Sequence, residues 1–163
     1  MNWADLALGH LDLSLGRPEA SDRLESIWAR PWIGEPRLIG AADAVEAATR
    51  AGRGEVARAR LTDLQRWTAE TGASWALPLV ERCRALVSTD ADAERHFREA
   101  LLLHEASGAA FDRARTQLLF GEFLRRARRR TEARMQLRPA LETFAGVRAA
   151  LWEERARNEL RAT

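Results

Sequence analysis

The chain of 163 residues contains no lysine and only one cysteine, and its three histidines are scattered. Without lysine the phosphate-loop pattern GxxxxGK[ST] cannot form, which excludes that route to nucleotide hydrolysis. The lone Cys83 excludes an internal disulfide framework and fits a reducing compartment. His10, His96 and His104 lie too far apart in sequence for any two to sit on adjacent turns of one helix as metal ligands. No GxSxG or HExxH pattern occurs, so neither an enzyme nor a cofactor is expected. Long apolar runs are missing too, and nothing is expected to span a membrane. The opening MNWADLALGHLDLSLG has no basic n-region and is interrupted by Asp5, His10 and Asp12, unlike a signal peptide. The cytoplasm is therefore the expected compartment. A surplus of one charge sign is also absent: 26 basic against 24 acidic residues leave a net charge of +2. The pI of about 9.8 reflects arginine chemistry rather than an excess suited to polyanions.

What is present is helical periodicity. From Asp90 to Phe144 three helices of one design follow each other. Ala93, Phe97, Ala100 and His104 form the apolar stripe of the first, which Ser88 or Thr89 is expected to cap and Gly108 to close. Phe111, Ala114, Leu118, Gly121 and Leu124 form the second stripe; Ala133, Leu137, Ala140, Leu141 and Phe144 form the third, with Thr131 as the expected N-cap. A glycine inside a helix costs about 1 kcal/mol relative to alanine, so Gly121 marks a place where bulk is excluded, with Ala133 facing it. Pro139, about two turns into its helix, predicts a kink.

The remaining chain repeats the design more loosely. Helices are expected at about 2–15, from Pro18, at about 37–51, at about 54–71, from Ser74, and at about 147–162, with an irregular connection at Arg30–Pro36. Trp3, Leu6, Gly9 and Leu13 form the inward stripe of the first, and Trp75, Leu79, Cys83 and Leu86 that of the fifth. Ala20, Ala57, Ala93 and Ala133 recur at intervals of 37, 36 and 40 residues. Four residues after each stands Leu24, Leu61, Phe97 or Leu137, and seven after each stands Ile27, Leu64, Ala100 or Ala140. Such recurrence argues for a helical repeat somewhat longer than the tetratricopeptide length of about 34.

Several residues invite a functional reading beside a plain one. His104 lies on an apolar stripe and reads as a buried, hydrogen-bonded histidine; Cys83 reads as a small core residue. The arginines from Arg125 to Arg130 could grip phosphate, but they end a helix, where cations suit the dipole, and Glu122 and Glu132 are within reach. Of six tryptophans, Trp3, Trp67, Trp75 and Trp152 fit apolar stripes, and Trp32, in the loop between Pro31 and Pro36, is the expected exposed candidate for ligand contact.

Two phrases, AERHFREAL at 93–101 and FDRARTQLLFGEFLRRARRRTEAR at 111–134, resemble the C-terminal tetratricopeptide-like region of large ATP-binding LuxR-type transcription regulators, the maltose-regulator group among them. LGRPEA at 15–20, SWALPLVERCRAL at 74–86 and WEERARNELRA at 152–162 are similar to that region as well. The resemblance implies a sensor and coupling module lying between an ATPase domain and a DNA-reading helix-turn-helix, and it implies a small-molecule inducer or a regulatory protein as partner. Both flanking parts are missing from this sequence, so a fragment of a larger regulator is expected, with no nucleotide hydrolysis and no direct DNA contact of its own.

The expected fold is all-α: a single domain over 1–163, a tetratricopeptide-like right-handed solenoid of about four helix pairs plus a C-terminal helix. In such stacks the first helix of each pair lines the concave face. Counting from Gly121 gives Arg115, Leu118, Glu122 and Arg125 as groove candidates; counting from Gly9 gives Trp3, Leu6 and His10. Trp3, Leu6 and Leu118 also sit on apolar stripes, where core packing competes with a groove role. A free-standing adaptor that docks a peptide or protein is the alternative function, and terminal repeats with apolar outer faces add homo-oligomerisation as a further expectation.

Overall fold

Alanine-rich amphipathic stretches punctuated by glycine fold here into helices alone. The computed structural model describes residues 3–28 and 40–163, and no strand occurs among them. The α-helices are α1 (Trp3–Ser14), α2 (Glu19–Trp28), α3 (Ala41–Arg50), α4 (Gly54–Thr71), α5 (Leu77–Val87), α6 (Asp90–Ser107), α7 (Ala110–Arg126), α8 (Arg130–Gly146) and α9 (Ala150–Arg161). No described helix is long and apolar enough to cross a membrane. The stretch from Arg30 to Pro36, Trp32 included, lies outside the described residues.

Contacts gather into two compact units, Met1–His96 and Phe97–Thr163, with the boundary inside α6. In the first unit α1 packs on α2 and α3 on α4, while α2 also meets α3, and α5 rests on α3 and α4. Its core centres on Val45, Ala48, Ala57, Leu61, Leu64, Val80 and Cys83. From Ala41 to Ala48 every residue of α3 is buried, which alanine permits because its small side chain lets neighbours close in from all sides. In the second unit α7 packs on α8 and α8 on α9. Phe97 stacks on Phe120 at 5.2 Å and tilts against Phe123 at 5.8 Å, joining the middle of α6 to α7.

In the first unit α2 and α4 run parallel. Arg53 meets Asp22 at 2.5 Å and Arg60 meets Glu25 at 3.3 Å, with the Arg60 guanidinium 4.9 Å from the Trp28 ring, so contacts advance together along α2 and α4. Burial pushes the Glu25 carboxyl above its ordinary range, opposed by Arg60 and Arg53. At the α1 to α2 turn Asp12 accepts hydrogen bonds from Arg23 Nε at 2.8 Å and Arg17 Nη1 at 3.2 Å. The Arg23 bond is the main cause holding the Asp12 carboxyl below the usual aspartate range, with burial acting the other way.

The recurring alanines occupy equivalent settings. Ala20, Ala57, Ala93 and Ala133 are all buried, as are Leu24, Leu61, Phe97 and Leu137 four residues on. Both interior glycines touch that second set. A Cβ on Gly9 would lie 2.7 Å from Leu24, and one on Gly121 would lie 2.5 Å from Leu137 Cγ. The Ala133 carbonyl follows at 3.4 Å, so the residue that excludes bulk at Gly121 is chiefly Leu137, one turn beyond Ala133. Pro139 sits inside α8, which continues through it to Gly146; the ring deprives the Met135 carbonyl of its helical donor, and Met135 is an exposed residue.

Helix starts differ from expectation in two places. Ser74 does not cap a helix but opens a 3-10 turn, Ser74–Ala76, and α5 begins at Leu77 with Pro78 in its first turn, where a missing N–H is tolerated. That shift by one turn rotates Trp75 outward to 53% exposure, where its ring edge meets Trp67 at 5.5 Å. Thr131 lies within α8, and the N-cap is Arg129, which supplies no side-chain cap.

Order at these junctions comes from the preceding helix ends. Gly16, Gly52, Arg128 and Arg148 all take positive φ, and the next residue's N–H reaches back five residues: Arg17 to Asp12, Arg53 to Ala48, Arg129 to Leu124 and Ala149 to Phe144, at 2.8 to 2.9 Å. These are Schellman closures, two built on glycine and two on arginine. A left-handed conformation costs an L-residue about 1–2 kcal/mol, of which glycine avoids the steric part while adding unfolded-state entropy.

Two predictions follow from this geometry. Gly121→Ala loses about 1–3 kcal/mol through the Leu137 clash, whereas Gly146→Ala, with open space around it, gains up to about 1 kcal/mol from helix propensity; urea denaturation of both variants checks the opposite signs. Arg128→Gly and Arg148→Gly each stabilise by about 0.5–1 kcal/mol, read as a raised urea midpoint, and a lowered midpoint for both excludes strain at these turns.

Candidate functional site

On α1, Trp3 is 56% exposed at the helix start, Leu6 is at the edge of the core, and His10 is half-buried with its Nδ1 3.0 Å from Asp43 Oδ2 on α3. Trp3 therefore does not pack in the core, as its stripe position had suggested. Trp3, Leu6 and His10 occupy successive turns of one helix, and His10 is tied to the buried helix beside it.

On α7 the four candidates also share one face, and it is the face turned to α9. Arg115, only 3% exposed, lays its guanidinium 4.5 Å from the centre of the Trp152 ring, and Arg155 approaches the same ring at 5.4 Å. Phe111 and Phe144 complete the aromatic surroundings of Trp152 at 6.1 and 6.0 Å. One and two turns on, Arg155 Nε donates to Glu122 Oε1 at 2.7 Å and Arg125 Nε to Glu159 Oε2 at 2.6 Å. Leu118 is fully buried between these rungs. The contacts advance in the same sense on both helices, so α7 and α9 run parallel. Cation–π and ion-pair contacts in such a desolvated seam hold position and register; none of the groups is a nucleophile beside a base. Glu122 pairs with Arg155, and among the terminal arginines Arg129 binds Glu132 at 2.5 Å.

A separate pocket of about 360 Å³ opens where α6 turns into α7. Its wall includes His104 and Glu105 from the end of α6, Arg113 and Gln117 from the start of α7, and Pro139 and Thr143 from α8. His104 is buried and its Nε2 lies 3.0 Å from Thr116 Oγ1, whose own proton goes to the Asp112 carbonyl at 3.0 Å. With that proton so used, the hydroxyl accepts from His104 Nε2. Gln117 is 9% exposed, and its amide has no hydrogen-bond partner among the described residues. Glu105 and Arg113 are exposed and form no ion pair with each other.

Sequence reasoning identified His104 as a stripe residue but passed over Glu105, Arg113 and Gln117. The one available signal was a glutamine standing inside the run Thr116–Gly121, where an apolar residue would suit a buried face. Among the described residues no group of three or more histidine, cysteine or carboxylate side chains is gathered to hold a metal ion. No protein-family model, curated protein or solved structure matches the chain.

Glu122 and Arg155 are the most desolvated ion pair of the seam, and removing the carboxylate takes a charge-assisted bond from a buried guanidinium. Glu122→Ala is expected to cost about 3–5 kcal/mol, against less than about 1 kcal/mol for Arg125→Ala at the wetter rung. The double change Glu122→Leu with Arg155→Met recovers most of the loss. Urea unfolding of the set measures this, and equal costs for Glu122→Ala and Arg125→Ala would contradict the ranking.

Proposed function

We propose that the chain is a non-catalytic binding and coupling module, a tetratricopeptide-like right-handed solenoid of about four helix pairs with a closing helix, working within a LuxR-type transcription regulator. The observation that carries the architecture is the recurrence of one packing device: a glycine on one helix against a leucine on the next, at Gly9 with Leu24 and again at Gly121 with Leu137. Parallel helices joined by ladders of charged contacts accompany it in each unit. Stacks of this kind transmit displacement from helix to helix because each element touches only its neighbours.

The proposed partner is a small-molecule inducer or a regulatory protein. The exposed Leu8 and Leu11 on α1, with Leu15 in the turn just beyond it, supply apolar surface for a docked protein or a second copy. The regulator and the free-standing adaptor differ in their reading frames. Mapping the transcript across the codons for Met1 and Thr163 is expected to reveal an upstream phosphate loop and a downstream helix-turn-helix, while in-frame stops on both sides leave the adaptor. Light scattering over a concentration series tests self-association, which a Leu11→Glu variant is expected to abolish.

A further inference from the structure

We infer that the pocket at the α6 to α7 turn binds a small zwitterion, a free amino acid or a close analogue, with its carboxylate toward Arg113 and its ammonium toward Glu105. The inference rests on the reading of the chain as a binding module and specifies the class of ligand one of its sites takes.

Three observations combine. First, a volume of about 360 Å³ lies at the small end of ligand pockets, which run from about 300 to 1,000 Å³, so the occupant is a metabolite rather than a peptide. Second, the pocket wall carries both charge signs in an ordered way. Glu105 belongs to the last turn of α6, whose carbonyls form the negative end of that helix, while Arg113 belongs to the first turn of α7, at its positive end. The turn between them is short, so the two opposite poles lie at one pocket, and a ligand carrying a carboxylate and an ammonium meets a complementary charge at each end. Third, Gln117 is buried on that wall with an unpartnered amide. That amide reaches the open pocket, and it both donates and accepts, as recognition of a zwitterion requires. The α7 N-terminus alone would favour any anion; Glu105 and the Gln117 amide are what turn the preference to a doubly charged, net-neutral molecule.

Isothermal titration of the full chain with each common L-amino acid, with propionate and propylamine as half-ligands, tests the inference. At least one amino acid is expected to bind, with each half-ligand weaker by about tenfold or more. Arg113→Ala and Glu105→Gln, both at exposed positions, are expected to weaken the amino acid by about tenfold each, and Gln117→Leu by a similar factor. Retained thermal midpoints in Arg113→Ala and Glu105→Gln establish that those proteins are folded. Failure of every amino acid to bind overturns the inference, as does propionate binding equally well, which defines a simple anion site. Amino-acid binding unchanged in both charge variants overturns it too, by placing the ligand elsewhere while leaving the module reading intact.

Discussion

Two helices can approach to backbone distance only where one of them has no side chain in the way. The Gly121 face meets Leu137 with no room for a methyl group, and the Gly9 face meets Leu24 in the same manner. That exclusion fixes both the rotation and the axial register of each antiparallel pair, because sliding by one residue would drive leucine into a Cβ. Everything else in the units is arranged around it: the buried alanines one turn earlier keep the surfaces thin, and the Schellman closures at Gly16 and Arg128 return the chain at the angle the contact demands.

Arginine then does what lysine could not. In the seam between α7 and α9, guanidinium planes lie near the Trp152 ring and also bond carboxylates through a directed Nε–H, so a single side chain, Arg155, engages both an aromatic and Glu122. A compact ammonium has no planar face to stack. The seam is therefore polar in composition yet well desolvated, and its register is set by hydrogen-bond geometry in addition to packing. The ladder of charged rungs adds hydrogen-bond directionality to the register that steric exclusion sets at Gly121.

The same view separates surfaces packed inside the second unit from surfaces left over. Arg115, Leu118, Glu122 and Arg125 are engaged within the second unit, and Leu118 has no exposed area to offer a ligand. The pocket beside them is made instead at a helix junction, where the ends of two dipoles and the gap beneath Pro139 and Thr143 leave space. Sites at junctions also sit where a ligand can brace one helix against the next.

The sequence by itself determined the helices, their approximate limits and most of their inward faces, Trp3 and Trp75 excepted, because a 3.6-residue period and glycine stops act locally. Ala93, Phe97, Ala100 and His104, read as one stripe, are all buried. It also marked Gly121 as a point of close approach. It did not determine which leucine closes on that glycine, the outward turn of Trp75, the partner of Glu122, or the gathering of Glu105, Arg113 and Gln117. Those depend on contacts between different helices, from Trp67 with Trp75 to Glu122 with Arg155, set by helix rotation and crossing, and a periodic pattern specifies the face of a helix without specifying what is laid against it.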